Sequence, residues 1–263
     1  MGGSPTSGAA GASREVILAT TTSTQDSGLL DVLIPMFEKQ TGYIVRTIAV
    51  GTGQALALGA RGEADLLLCH APAAEIELVK SGAVVNRRLV MHNDFIIVGP
   101  TSDPARIRGM KTASPAFAQI AQAGAVFVSR GDDSGTHKKE KEIWTHAGVK
   151  PAGRWYLESG SGMGQTLNIA SEKQGYTLTD RATYLALKKR LALDVLVEGD
   201  GALLNIYHVM QVNPEKFPKV NGRGGLAFVR FMVAESTQQV IAEFGMKEYG
   251  EPLFFPDAGK SRE

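Results

Sequence analysis

The chain has 263 residues, 43% of them hydrophobic, with 28 basic side chains against 27 acidic ones. That length suits one large domain or two lobes of ordinary size, and a formal net charge of +1 provides no global field for nucleic acid or an anionic membrane. The single cysteine, Cys69, excludes an internal disulfide and a Cys-based zinc cluster.

In chain order, "MGGSPTSGAAGAS" (1–13) is small and polar, a flexible tail without the basic start or apolar stretch of a signal peptide. No later apolar run has the length to span a bilayer. "EVILATTTS" (15–23) is a β-rich run ending in hydroxyls. "DSGLLDVLIPMFEKQTG" (26–42) places Leu29, Leu30, Leu33, Ile34 and Phe37 on one helical face, with Gly42 as a stop and Pro35 as an expected kink. Strands over 44–50 and 64–72 are each followed by a helix, over 51–62 and 73–82. This alternation implies a parallel sheet covered by helices, an α/β fold.

The pattern then changes. "DFIIVGP" (94–100) and "AVFVSRG" (125–131) are strands, and "HKKEKEIWTHAG" (137–148) is a helix whose charged run "KKEKE" reads as a solvated face. Strand, Gly-Ser turn and helix follow over 154–175. A short strand and helix fill 176–188, a strand 205–212, and one long helical segment 224–245.

Three turns share a layout: "TTTST" (20–24), "VGTGQ" (50–54) and "RGDDSGT" (130–136). Each follows a strand, carries hydroxyls and opens a helix; "ESGSGMGQ" (158–165) resembles them. Such turns present backbone N–H groups that lack helical partners, and the dipole there favours negative charge. In open α/β folds ligands sit beyond the carboxyl ends of strands, where these turns lie. A single such turn is adequately explained by capping; three or four could converge on one anion.

Other motifs are missing. "GTGQALALG" lacks the Gly-Lys-Ser/Thr ending of a P-loop, "GSGMGQ" spaces its glycines wrongly for dinucleotides, and no GxSxG elbow occurs. The five histidines have no metal spacing. His92 and His208 read as core or hinge residues. Asp132 and Asp133 read as caps or partners of Arg130, and nothing specific supports an acid–base pair.

In order, "TTTSTQDSGLL", "VGTGQAL", "LLCHAP", "SRGDDSGTHKKE" and "YTLTDRATYL" resemble the tungstate-binding proteins of bacterial ABC importers, from about Glu15 onward. Arg130, Ser134, Gly135 and Thr136 also match the R-x-x-x-S-G-T motif of phosphate-binding relatives. The resemblance implies a two-lobed periplasmic binding-protein fold (type II-like), each lobe a mainly parallel sheet with flanking helices. Lobe one would be 14–93 plus 207–263, lobe two 97–203. The crossover strands would be about 94–100 and 205–212.

It further implies that Thr21, Thr22, Ser23 and Thr52 bind the anion from lobe one, and Arg130, Ser134, Gly135 and Thr136 from lobe two, with His70 and Ser161 as further candidates. The ligand would be tungstate, with molybdate, sulfate or phosphate as alternatives. It would be held as an oxyanion without direct side-chain coordination to the metal and without a cofactor. The partner would be a membrane permease, and the protein an extracytoplasmic monomer, periplasmic or membrane-anchored, without enzymatic activity. An enzyme acting on phosphoesters is the remaining alternative. Phosphate-binding relatives carry an aspartate in a "DAP"-like turn where "LCHAP" has His70. That missing carboxylate is expected to disfavour phosphate, which needs an acceptor for its proton, and His70→Asp is expected to repel tungstate.

Overall fold

The computed structural model describes residues 13–260, so the expected tail over 1–13 lies, except for Ser13, outside the described residues. β1 (Glu15–Thr21) runs parallel to β2 (Ile44–Val50) on one side and to β3 (Leu66–Cys69) on the other. Their connections are helical. α1 (Thr22–Asp26) and α2 (Leu29–Thr41) join β1 to β2, and α3 (Thr52–Arg61) joins β2 to β3. Gly42 and Gly62 close α2 and α3 in the left-handed conformation, which glycine adopts without a Cβ penalty. Pro35 lies inside α2, and Leu29, Leu30, Leu33 and Phe37 form its buried stripe.

After α4 (Pro72–Lys80) comes β4, which spans Val84–Pro100 and so starts well before the strand expected at 94. Two basic residues and an irregular stretch masked its first half. Asn86 takes φ 54°, and the register shifts between Val85 and Arg88, as at a bulge. β4 belongs to two sheets. Residues 84–94 pair antiparallel with β9 (Leu204–Val212), which also pairs antiparallel with β3. Residues 95–100 pair antiparallel with β7 (Thr177–Asp180) and β8 (Leu193–Val197). The parallel character is carried by the β2–β1–β3 triplet and by β5 (Phe127–Ser129) with β6 (Tyr156–Glu158). The long crossing strands make the whole mixed.

Three further features depart from the sequence expectation. α5 (Ala113–Ala123) is a helix in a segment assigned to nothing; Ala113, Ala116, Phe117 and Ile120 are its buried face, a stripe made faint by small side chains. β8 was likewise unassigned. The C-terminal helical segment is broken into α9 (Gly222–Met232) and α10 (Glu235–Glu243), because Ala234 is extended, at ψ 144°. α6 (Gly135–His146), α7 (Met163–Glu172) and α8 (Arg181–Leu187) follow their strands as expected, and α11 (Met246–Tyr249) and β10 (Phe255–Pro256) complete the chain.

Apolar burial is divided. Leu18, Leu33, Phe37, Val209 and Phe228 pack on one face of the first sheet, and Ala55, Leu67 and Met210 on the other. Phe117, Phe127, Trp144 and Tyr176 form a separate core, flanked by Val98, Leu167 and Tyr184. Gly99 is where β4 passes closest to that core: a Cβ there would lie 2.5 Å from Tyr176 Cδ1 and 2.7 Å from Leu196 Cδ1. Tyr176 cannot swing aside, because its hydroxyl donates to Asp103 (2.8 Å) and accepts from the Ala105 amide (2.8 Å). Gly99→Ala is therefore expected to lose about 1–3 kcal/mol by overpacking. A urea midpoint equal to the parent's would contradict this packing.

Candidate functional site

The strand-to-helix turns gather between the two packed bodies. Thr21, Gly51, Ser134 and Gly162 are the N-caps of α1, α3, α6 and α7. Helix geometry leaves the first amides after each cap without i−4 partners. A cleft of about 310 Å³ is lined by Thr22, Ser23 and Ser27 from the first body and by Arg130, Gly162 and Asp180 from the second. A narrower pocket continues inward, shares Ser23, Ser27 and Asp180, and adds His70, Thr136 and Asn205.

Arg130 is the cation of this cleft, and its guanidinium is held on two sides. Nε donates to the Ser161 carbonyl at 2.7 Å, and Nη2 pairs with Asp132. Burial pushes the Asp132 carboxyl up, but hydrogen bonds from Ser134 and Arg130 outweigh it and hold the group below its ordinary value. Asp132 therefore stays ionised and offsets part of the arginine's charge. Beneath the turn lies Glu140. It is 1% exposed, which overturns the reading of "KKEKE" as wholly solvated. It accepts from Trp144 Nε1 (3.1 Å) and Tyr156 Oη (2.8 Å). Burial raises its pKa, against hydrogen bonds that include Ser129 and the Arg130 backbone. Glu140 thus anchors the strand end that presents Arg130.

On the facing side, Thr21 Oγ1 lies 3.2 Å from Ser23 Oγ, 2.7 Å from Thr24 Oγ1 and 3.1 Å from His70 Nε2. His70 Nδ1 lies 2.8 Å from Asn205 Oδ1, and Asn205 donates to Asn93 at 2.8 Å. Burial holds His70 below the ordinary histidine value, against Asn205 and Glu75, so the ring is neutral near neutral pH. Both its nitrogens are engaged, and it positions Thr21. Asn93 and Asn205 come from β4 and β9, outside the hydroxyl- and glycine-bearing turns, so no local sequence signal marks them.

The expected residues divide as follows. Thr22, Ser23 and Arg130 line the cleft, and Thr136 and His70 the inner pocket. Thr21 is buried behind Ser23, and Thr52 is buried at the start of α3. Gly135 closes the distance between the bodies: a Cβ there would lie 2.9 Å from His70 Cε1 and 3.5 Å from Thr52 Oγ1. The Ser134 hydroxyl accepts from the His137 amide at 3.3 Å as the cap of α6. The Ser161 hydroxyl turns back to the Ser159 carbonyl at 3.0 Å; its own carbonyl serves Arg130 instead. Lys138 reaches towards the second turn, its Nζ 3.9 Å from a Cβ built on Gly53. Among the described residues, no group of His, Cys, Asp and Glu could hold a metal ion.

Asp180 lies in "YTLTDRATYL", outside the four turns expected to hold the anion. It caps α8, its Oδ1 accepting from the Thr183 amide at 2.8 Å, and it lines both parts of the cleft. The expected absence of a carboxylate is thereby corrected: "LCHAP" lacks one, but a turn 110 positions further on supplies one from the other body.

A PBP superfamily domain matches residues 5–236. The chain is 49% identical over 247 residues to the tungstate-binding protein TupA of Peptoclostridium acidaminophilum, covering 93% of this chain and 86% of that relative. Among solved structures, the tungstate binding protein TupA from Desulfovibrio alaskensis G20 superposes with a TM-score of 0.84 at 45% identity, covering 93% of this chain and 99% of that one. The tungstate ABC transporter structure from Geobacter sulfurreducens gives 0.78 at 48% identity, covering 88% and 98%.

Proposed function

The chain belongs to the PBP superfamily, among the tungstate-binding proteins of ABC importers, and from that membership we propose that it captures tungstate between two lobes and delivers it to a membrane permease. The observation that carries the reading is the cleft itself, where Ser23 and Arg130 face one space from different bodies. The lobes are 14–93 with 207–263, and 97–203; β4 and β9 are the crossings.

Donors to the anion are the Ser23 and Thr136 hydroxyls, the amides opening α1, α3 and α6, and Arg130. Charge-assisted hydrogen bonds contribute about 1.5–3 kcal/mol each, so about six of them suffice for nanomolar binding, roughly −12 kcal/mol, after ordering costs. Most donors are neutral, which avoids crowding cations in a closed site. The protein acts outside the cytoplasmic membrane as a monomer, without turnover. No helix among the described residues is long and apolar enough to cross a membrane.

Calorimetry of the ligand-free protein with tungstate, molybdate, sulfate and phosphate tests this reading. Tungstate is expected to bind tightest, with molybdate, nearly its size, the one serious competitor. The shorter bonds of sulfate and phosphate leave some donors out of reach. No heat with tungstate, or turnover of an added phosphoester, would overturn the assignment.

Closure is the second expectation. Binding energy that needs both lobes shifts an open–closed equilibrium towards closed. Small-angle scattering at saturating tungstate should give a smaller radius of gyration than without ligand. Identical radii would remove closure on binding.

A further inference from the structure

Asp180 poses an electrostatic problem for an anion cleft. It is 9% exposed, shares the cleft wall with Arg130 and Ser23, and reaches the inner pocket as well. Arg130, the nearby cation, is already paired with Asp132. An ionised Asp180 would leave the Arg130, Asp132 and Asp180 side chains with net charge −1 (one cation against two carboxylates) before any dianion arrived. Solvent would screen this weakly in a closed site. The proposal rests on the tungstate reading above. We propose that Asp180 is a specificity-determining residue that carries a proton when the oxyanion is bound, so that the site takes a dianion together with one proton. The proton comes from solvent and resides on an Asp180 oxygen, with no other bond made or broken.

The local chemistry favours this. Burial pushes the Asp180 carboxyl above its ordinary value, opposed by Thr183 and, through space, Arg130; an adjacent dianion pushes it further the same way. Once protonated, the acid becomes a donor and changes from a repulsive group to a binding one. The other titratable groups facing it are Asp26 from α1, His70 from the β3–α4 turn, Tyr207 from β9 and Tyr249 from α11. Burial holds His70 neutral and raises both tyrosines. Asp26 is exposed at the rim.

The sign follows from linkage. The anion-bound pKa exceeds the free one, so binding takes up protons between the two values. Affinity falls as pH rises through that window, by at most about tenfold per pH unit for one proton, and is flat on either side. A protonated anion such as hydrogen phosphate brings its own proton and should take up less from solvent.

Tungstate calorimetry in pairs of buffers with unlike ionisation enthalpies, from mildly acidic to mildly alkaline pH, counts the protons. The parent is expected to take up a measurable fraction of one proton per anion, and Asp180→Asn none, with pH-independent affinity. Asparagine caps a helix as well as aspartate does, so α8 should survive the change. Zero uptake by the parent at every pH, or uptake unchanged in Asp180→Asn, overturns the proposal. Failure to bind tungstate at any pH would instead sink the tungstate reading itself.

Discussion

Arg130→Lys is expected to weaken tungstate binding by about 10- to 150-fold although the formal charge is kept. The guanidinium is planar, and its donors leave in fixed directions. In this cleft two of those directions are already assigned, Nε to the Ser161 carbonyl and Nη2 to Asp132. Those contacts aim the rest of the fork into the space shared with Ser23. An ammonium on a flexible stem cannot hold the turn and reach the anion together. Losing one charge-assisted hydrogen bond costs about 1.5–3 kcal/mol, which is the stated range. Calorimetry reads the change directly. Unchanged affinity would remove Arg130 from the anion's contacts.

Gly135→Ala should weaken binding by about 5- to 150-fold, the equivalent of about 1–3 kcal/mol of overpacking. The added methyl would meet His70 Cε1 at 2.9 Å across the cleft. His70 cannot retreat easily. Its nitrogens are engaged by Thr21 and Asn205, and its ring packs 4.7 Å, centroid to centroid, from Tyr207. Within its own lobe the substitution is benign, because Gly135 opens a helix, where alanine is the better former. The loss should therefore appear in binding and in ligand-induced compaction, while the ligand-free unfolding midpoint stays level or rises. Parental affinity in the variant would mean that the lobes do not close to this contact when the anion is bound.

The strand–helix alternation over 15–82 and the hydroxyl- and glycine-bearing turns that open helices are legible in the chain alone. Both are local signals. Helical spacing places Leu29, Leu33 and Phe37 on one face, and Ser134 reads as a cap from its neighbours alone. The motif around Arg130 was equally visible, because its residues are close in the chain. Other features depend on partners far apart in sequence. β4 became a strand of 17 residues because β9, β7 and β8 line up along it. That pairing brings Asn93, Asp180 and Asn205 to one pocket. Glu140 looked like one more charge in a solvated run until Trp144 and Tyr156 folded over it. Ser161 kept its place beside the site but exchanged roles, since the turn geometry spends its hydroxyl on Ser159 and offers its carbonyl to Arg130. Local propensity operates over a turn or two of chain. Which carboxylate lines the cleft is set by strand pairing and burial between segments a hundred residues apart, so it emerges only in the folded chain.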